Sequence, residues 1–163
     1  MKHPTKYLSP DQLLARIKAI KAQNHQAKIV FTNGCFDIIH IGHIHLLYEA
    51  KALGHYLIVA INSDRSVQKL KGPNRPINQE SDRIQVLSAL EMIDCVTTFK
   101  EETPINLIKI LQPSIHVKGG DYTKESLPEY ATISDYGGQI KIIPFLPGKS
   151  STTILSKLED PSR

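Results

Sequence analysis

Two apolar periods alternate along this chain. Short runs at Lys28–Thr32, Tyr56–Ile61, Cys95–Phe99, Ser114–Lys118 and Ile140–Ile143 are the length of strands, and Ile29-Val30-Phe31 in the first is continuously apolar, as in a strand buried on both faces. Between them the spacing turns helical. Leu13, Leu14, Ile17 and Ile20 follow the capping serine and first-turn proline Ser9-Pro10. A helix is expected from Ile41 to Leu53, closed by Gly54 as a left-handed cap. Another spans Ser81–Met92, with Ile84, Leu87 and Leu90 backed by Val86 and Ala89. Further helices are expected at Thr103–Leu111, Glu125–Tyr136 and Ser150–Leu158, the stretch Gly72–Asn78 being a loop by its prolines and glycine. Strands alternating with helices predict an α/β fold, an open parallel five-stranded sheet with helices on both faces and right-handed crossovers. We divide the chain into an N-terminal helical segment 1–25, a domain 26–158 and a tail 159–163.

Composition narrows the class. With 163 residues, 40% hydrophobic and 22% charged, the chain fits one soluble globular domain. No apolar run approaches the length of a membrane span, and Met1-Lys2-His3-Pro4-Thr5 is not the start of a signal peptide, so no membrane partner and a cytoplasmic location are expected. Cys35 and Cys95 lie far apart and outside any CxxC pair, which indicates neither a disulfide framework nor a zinc site. The net charge of +4 is spread without a basic stripe, suiting small anionic ligands rather than nucleic acid.

Candidate chemistry concentrates in Thr32-Asn33-Gly34-Cys35-Phe36-Asp37-Ile38-Ile39-His40-Ile41-Gly42-His43-Ile44. Here a strand gives way to a helix, whose first turn offers unpaired N–H groups and the positive end of a dipole to an anion. Residues three apart share a helix face, so His40 and His43 can address one phosphate, and Gly42 between them lets it approach. Asp37 is expected to hold the loop by accepting backbone N–H groups, and Cys35 to be a small filler.

Gly34-Cys35-Phe36-Asp37 followed by His40-Ile41-Gly42-His43 resembles the signature of the HxGH nucleotidyltransferases, which have a Rossmann-like fold. Those enzymes join a nucleoside triphosphate to a phosphorylated acceptor and release pyrophosphate. Asn62-Ser63-Asp64, Leu70–Asn78, Val117–Tyr122 and Gly148-Lys149-Ser150-Ser151-Thr152 extend the likeness, over roughly residues 8–158, to the adenylyltransferases of ADP-heptose synthesis in their stand-alone form. The resemblance implies transfer of AMP from ATP to D-glycero-β-D-manno-heptose 1-phosphate, for the lipopolysaccharide core. It implies His40 and His43 as transition-state donors, with Lys71 and Arg75 neutralising phosphates from a loop over the site. Thr32 to Asp37, Gly42, Asn62, Asp64, Lys118, Gly119, Gly120 and Asp121 would shape the nucleotide pocket. Ser150, Ser151 and Thr152 would receive the β- and γ-phosphates. Lys149 or Lys157 would replace an arginine some relatives carry near that helix start. Magnesium would arrive with the triphosphate, without a protein cage. A P-loop is excluded, because Ile143 stands where GxxxxGK[ST] needs glycine. Arg83 could pair locally with Asp82.

One segment departs from the heptose pattern: Pro128-Glu129-Tyr130-Ala131 stands where a Gly-x-Glu run is expected. Competing readings are a cytidylyltransferase for glycerol 3-phosphate or another small phosphate, an FAD-synthase-like adenylyltransferase, and a nucleotide-binding regulator without turnover. The last has no need of two imidazoles at one phosphate. A homodimer is expected, since the helix from Pro10 to Gln23 carries more apolar surface than a sheet edge needs and the resembling family pairs its subunits.

Overall fold

The computed structural model describes residues 5–144. Within them five parallel strands, β1 (Ile29–Gly34), β2 (Tyr56–Asn62), β3 (Cys95–Phe99), β4 (Ile115–Gly119) and β5 (Gln139–Ile143), stand in the order β3-β2-β1-β4-β5. The expected α/β sheet is therefore present, with strand ends within two residues of those read from the sequence. Helix α1 (Pro10–Gln23) precedes β1, and helices α2 (Ile41–Ala52), α3 (Asp64–Lys71), α4 (Glu80–Ser88), α5 (Ile105–Leu111) and α6 (Tyr130–Asp135) lie in the connections between strands.

Strand β1 is the centre of the molecule. It pairs with β2 along its whole length, from Ile29↔Tyr56 to Gly34↔Ile61, but with β4 only from Val30↔Ile115 to Thr32↔Val117. Past Thr32 the two strands part, and the connections run in opposite directions from here, which makes this the switch point where open parallel sheets hold ligands. One core gathers Phe31, Ile58, Leu13, Ile17, Ile108 and Ile133, and the other Val30, Val59, Leu47, Leu87 and Val117. Alternate residues of β1 and β2 feed the two cores, so the sheet is covered on both faces.

Several expectations are corrected. Gly54 is absent from the glycines with positive φ; a Cβ there would sit 2.7 Å from both the Lys28 carbonyl and Val30 Cγ2, so close approach to β1, not a left-handed cap, is what demands glycine. The helix expected to reach Met92 ends at Ser88, because residues 89–94 turn the chain into β3, fastened where the Leu57 N–H donates to the Asp94 carboxylate at 2.6 Å. The helix expected over Glu125–Tyr136 is split by Pro128, which holds Leu127 extended (ψ 133°) between a 3-10 turn at Lys124–Ser126 and α6. Helix α3 went unread: its strongly polar sequence hides a short turn capped by Ser63. The expected helix at Ser150–Leu158 lies outside the described residues. Helix α1 has the expected Ser9 cap and first-turn Pro10, and Gln12 completes a capping box with Ser9. Its apolar face is spent internally, Leu13 and Ile17 being buried and Leu14 and Ile20 packed on the same core. The surface argument for a homodimer through this helix is thereby removed.

His116 in β4 is fully buried, stacked on Phe31 at 5.6 Å, with neither ring nitrogen partnered. Burial, helped by the Lys118 charge, pushes its pKa down to about 3. The unfolded chain takes up this proton near pH 6.5 and the folded chain only near 3, so stability is lost as pH falls through that window. Urea melts should show His116→Leu keeping roughly 2 kcal/mol more of its neutral-pH stability at about pH 5 than the parent does. Equal pH slopes for the two proteins would refute this.

Candidate active site

The switch-point crevice is a cleft of about 150 Å³ lined by Asn33, Gly34, Cys35, Phe36, Asp37, His43, Leu46, Lys71, Lys118 and Gly119. His40 joins it through its ring, 3.9 Å from that of His43. The expected histidine pair is thus assembled, by a different local device. His40 is the N-cap of α2, with extended backbone, and its Nδ1 accepts from the Gly42 N–H at 3.1 Å, as a capping aspartate would. This corrects the expectation of free backbone donors, since the His40 carbonyl also takes the His43 N–H. With Nδ1 committed as acceptor, a neutral His40 carries its proton on Nε2, the atom left to donate.

Burial lowers the pKa of both imidazoles. His43 is pushed down to about 4, by burial first and then by the charges of His40 and Lys71. Phe36, in the left-handed region at φ 48°, lays its ring 5.1 Å from His43 and supplies part of that burial. His43 Nδ1 is buried without a protein partner, a polar atom left for a ligand or water.

Asp37 has a different part from the one its place in the signature suggests. Its carboxylate accepts from the Ile77 and Asn78 N–H groups at 2.9 and 2.8 Å and from Arg75 Nε at 2.6 Å, and the Asn78 amide donates to its carbonyl. It holds a loop by backbone N–H groups as expected, but the loop is that of residues 72–79, strapped across the signature. Burial pushes the Asp37 carboxyl up; the donors at Asn78, Ile77 and Arg75 outweigh it and hold the pKa below the usual range. Arg75 is therefore spent on Asp37 through Nε, and its Nη2 is buried without a partner. Lys71 closes α3 rather than lying in the loop, exposed beside His43.

Other expected site residues are not brought to the cleft. Asn62 is buried, its amide donating to Ser66 Oγ at 2.9 Å. Asp64 pairs with Arg83, Thr32 is wholly buried with Oγ1 unpartnered, and Asp121 is exposed beyond the sheet end. Gly120, at φ 143°, gives its N–H to Ile143 and lets the chain turn out of β4. Ser150, Ser151, Thr152, Lys149 and Lys157 lie outside the described residues.

Two residues were misread or missed. Arg83 pairs not with Asp82 but with Asp64, and its buried guanidinium also donates to the carbonyls of Asn78, Cys35 and Asn62 at 3.1, 2.6 and 2.9 Å. A lone arginine among Ile84, Leu87 and Leu90 was the available signal. Glu129, noticed only as a departure, is buried and reaches Lys118 Nζ at 3.4 Å.

A parallel sheet whose switch point holds two imidazoles in contact, tilted by 32°, at a helix start beside a lysine defines the class as a nucleotidyltransferase of the HxGH type. The family model described as cytidylyltransferase-like matches residues 31–154, and the chain belongs to that family. It is 51% identical over 137 residues to the bifunctional protein HldE of Hahella chejuensis, covering 84% of this chain and 29% of that one. The chain spans about three tenths of the length of such curated relatives. Its fold is similar to the lipopolysaccharide core biosynthesis protein of Thermoplasma volcanium, at TM-score 0.61 and 30% identity over 74% of this chain and 97% of that one. The pantoate-beta-alanine ligase of Francisella tularensis, solved with beta-gamma ATP and beta-alanine, shares the fold at TM-score 0.58 and 16% identity, over 96% of this chain and 77% of that one. Among the described residues no helix is long and apolar enough to cross a membrane, and no three metal-ligating side chains cluster.

Replacing Arg83 with Met keeps bulk but strands three carbonyls and Asp64. The expected loss is on the order of 3 kcal/mol in a denaturant melt. A variant as stable as the parent would show that the buried guanidinium holds nothing together.

Proposed function

We propose that this chain transfers AMP from ATP to D-glycero-β-D-manno-heptose 1-phosphate, giving ADP-heptose and pyrophosphate for the lipopolysaccharide core. The observation that carries the reading is the convergence of His40, His43 and Lys71 at the switch-point cleft. Among the described residues that line the cleft, Lys71 is the one cation without a carboxylate partner, since Lys118 faces Glu129. The acceptor is supported by the likeness of Leu70–Asn78 and Val117–Thr123 to heptose-activating enzymes, which reaches beyond the shared signature.

In this reading an acceptor phosphate oxygen attacks the α-phosphorus in line. A new P–O bond forms as the α–β bridge breaks, and pyrophosphate leaves with the electron pair. No protein nucleophile is used. The chain's part is to position two anions and to meet the charge that grows on the phosphoryl oxygens. At neutral pH the depressed pKa values keep both imidazoles uncharged in the free protein, so each offers one N–H, and Lys71 supplies the full charge. Magnesium is carried as part of the MgATP substrate, on phosphate oxygens and water. Ser150, Ser151 and Thr152 belong to the same proposal as donors to the β- and γ-phosphates. A homodimer, which the resemblance implies, is not required, since every residue named comes from one chain.

Pyrophosphate release from each of the four nucleoside triphosphates, against a panel of sugar and polyol phosphates, tests the assignment. ATP should lead, and heptose 1-phosphate should outrun glycerol 3-phosphate by at least about 10²-fold. CTP ahead of ATP, or equal rates with the two acceptors, would overturn it. His40→Ala and His43→Ala should each lower kcat by roughly 10²-fold or more with a smaller change in KM for ATP. A variant altered only in KM would place the imidazoles in ground-state binding.

A further inference from the structure

Glu129 is an anomaly in a protein that otherwise pairs its buried charges with care. It is 2% exposed, Oε2 has no partner, and Oε1 has a single donor, Lys118 Nζ, at a long 3.4 Å. Asp37, comparably buried, receives three N–H donors. A carboxylate withdrawn from water with one weak contact is costly, so the site lacks a hydrogen-bond donor that the described residues do not provide.

The location says what kind of donor. Lys118 Nζ also donates to Asn33 Oδ1 at 3.2 Å, and both Lys118 and Asn33 line the cleft that holds His43 and Lys71. Asn33 and Lys118 stand at the ends of β1 and β4, just past Thr32↔Val117, where the strands separate. An ammonium has three N–H bonds, and these contacts use two. The group therefore offers one spare donor beside one spare acceptor. Its charges cancel, unlike those around Lys71, and a carboxylate would repel a phosphate placed against it. A hydroxyl pair satisfies both: one oxygen accepts from Lys118 while the other donates to Glu129.

Resting on the nucleotidyl-transfer reading above, we propose that Lys118, Glu129 and Asn33 form a hydroxyl-recognising subsite of the cleft, in which Glu129 Oε2 accepts from a vicinal diol of the bound ligand. Two ligands carry such a diol, the ribose of the nucleotide and the ring of the acceptor sugar. Phosphate is held elsewhere, at the imidazoles and Lys71. Glu129 also positions Lys118, which has no other carboxylate partner among the described residues.

Steady-state kinetics on the full chain separate the two sources. One arm compares ATP with its 2′-deoxy and 3′-deoxy analogues, the other heptose 1-phosphate with its 2-deoxy analogue. The parent should prefer the hydroxylated substrate by at least about tenfold in kcat/KM in one arm. Glu129→Gln, which keeps the shape and removes the charge, should cut that preference to about threefold or less, the hydroxylated substrate losing more than the deoxy one. A purely structural role would lower both substrates alike and leave the ratio intact. Loss of preference in the ATP arm assigns the subsite to ribose, and in the sugar arm to the acceptor; either supports it. An unchanged ratio in both arms overturns it, as does a parent that discriminates in neither arm, a result that needs no variant to fold. Absence of turnover in the parent overturns the parent reading and this subsite together, whereas normal turnover with an unchanged ratio overturns the subsite alone.

Discussion

Everything at the cleft hangs on one buried cation. The Arg83 guanidinium spends four hydrogen bonds on groups from three separate segments: the Cys35 carbonyl just past β1, the Asn62 carbonyl at the end of β2 with Asp64 at the start of α3, and the Asn78 carbonyl of the following loop. Asn62, paired with Phe99, is the last rung of β2, and the stretches that follow β1 and β2 continue without ladder partners. A planar, permanently charged fork can satisfy several carbonyls at once and hold them in one plane, which an ammonium or an amide cannot. Fully buried, it is also committed: losing any partner would leave a charge without compensation in a region of low dielectric.

A second pairing completes the scaffold by the same principle with the signs reversed. Asp37 is the buried anion that gathers donors from residues 75, 77 and 78. Arg83 and Asp37 thus grip the two sides of the loop between α3 and α4, one through its carbonyl at Asn78 and the other through its N–H groups. The consequence for function is electrostatic. Arg75 and Arg83 are consumed as structure, so positive potential in the described cleft is concentrated at Lys71 beside two imidazoles that burial keeps neutral. Charge is scarce there, and an arriving phosphate has a definite place to go.

The imidazole pair depends on both grips. His40 caps α2 with its own ring, His43 is pressed against Phe36, and Phe36 is held in a left-handed conformation next to Cys35, whose carbonyl Arg83 holds. The segment from Cys35 to His43 is fastened at its first residue by Arg83, at Asp37 by the loop, and at His40 by the helix it caps. Strain at Phe36 is tolerable because its neighbours are fixed by bonds rather than by packing alone.

Continuous apolar runs and helical spacing were enough to place the five strands and most helices, since burial on both faces of a parallel sheet leaves little freedom in composition. The residues around His40 and His43 were likewise legible, because a strand-to-helix turn with that residue pattern is a local property. Local sequence also decided the split at Pro128, had it been weighed against the helical period. What it could not decide was which charges are spent on structure. Arg75, Arg83, Asp37 and Asp64 read as equals of Lys71 in a list of polar residues near the signature, and only the folded chain separates them, through pairs joining residues 19 to 48 positions apart. Gly54 and Glu129 belong to the same class: one is required by the Lys28 carbonyl and the other is drawn in by Lys118, neighbours that exist only once β1 and β4 are in place. Periodicity records which face of an element meets the core, whereas the partner of a buried charge is set by long-range geometry that no local pattern encodes.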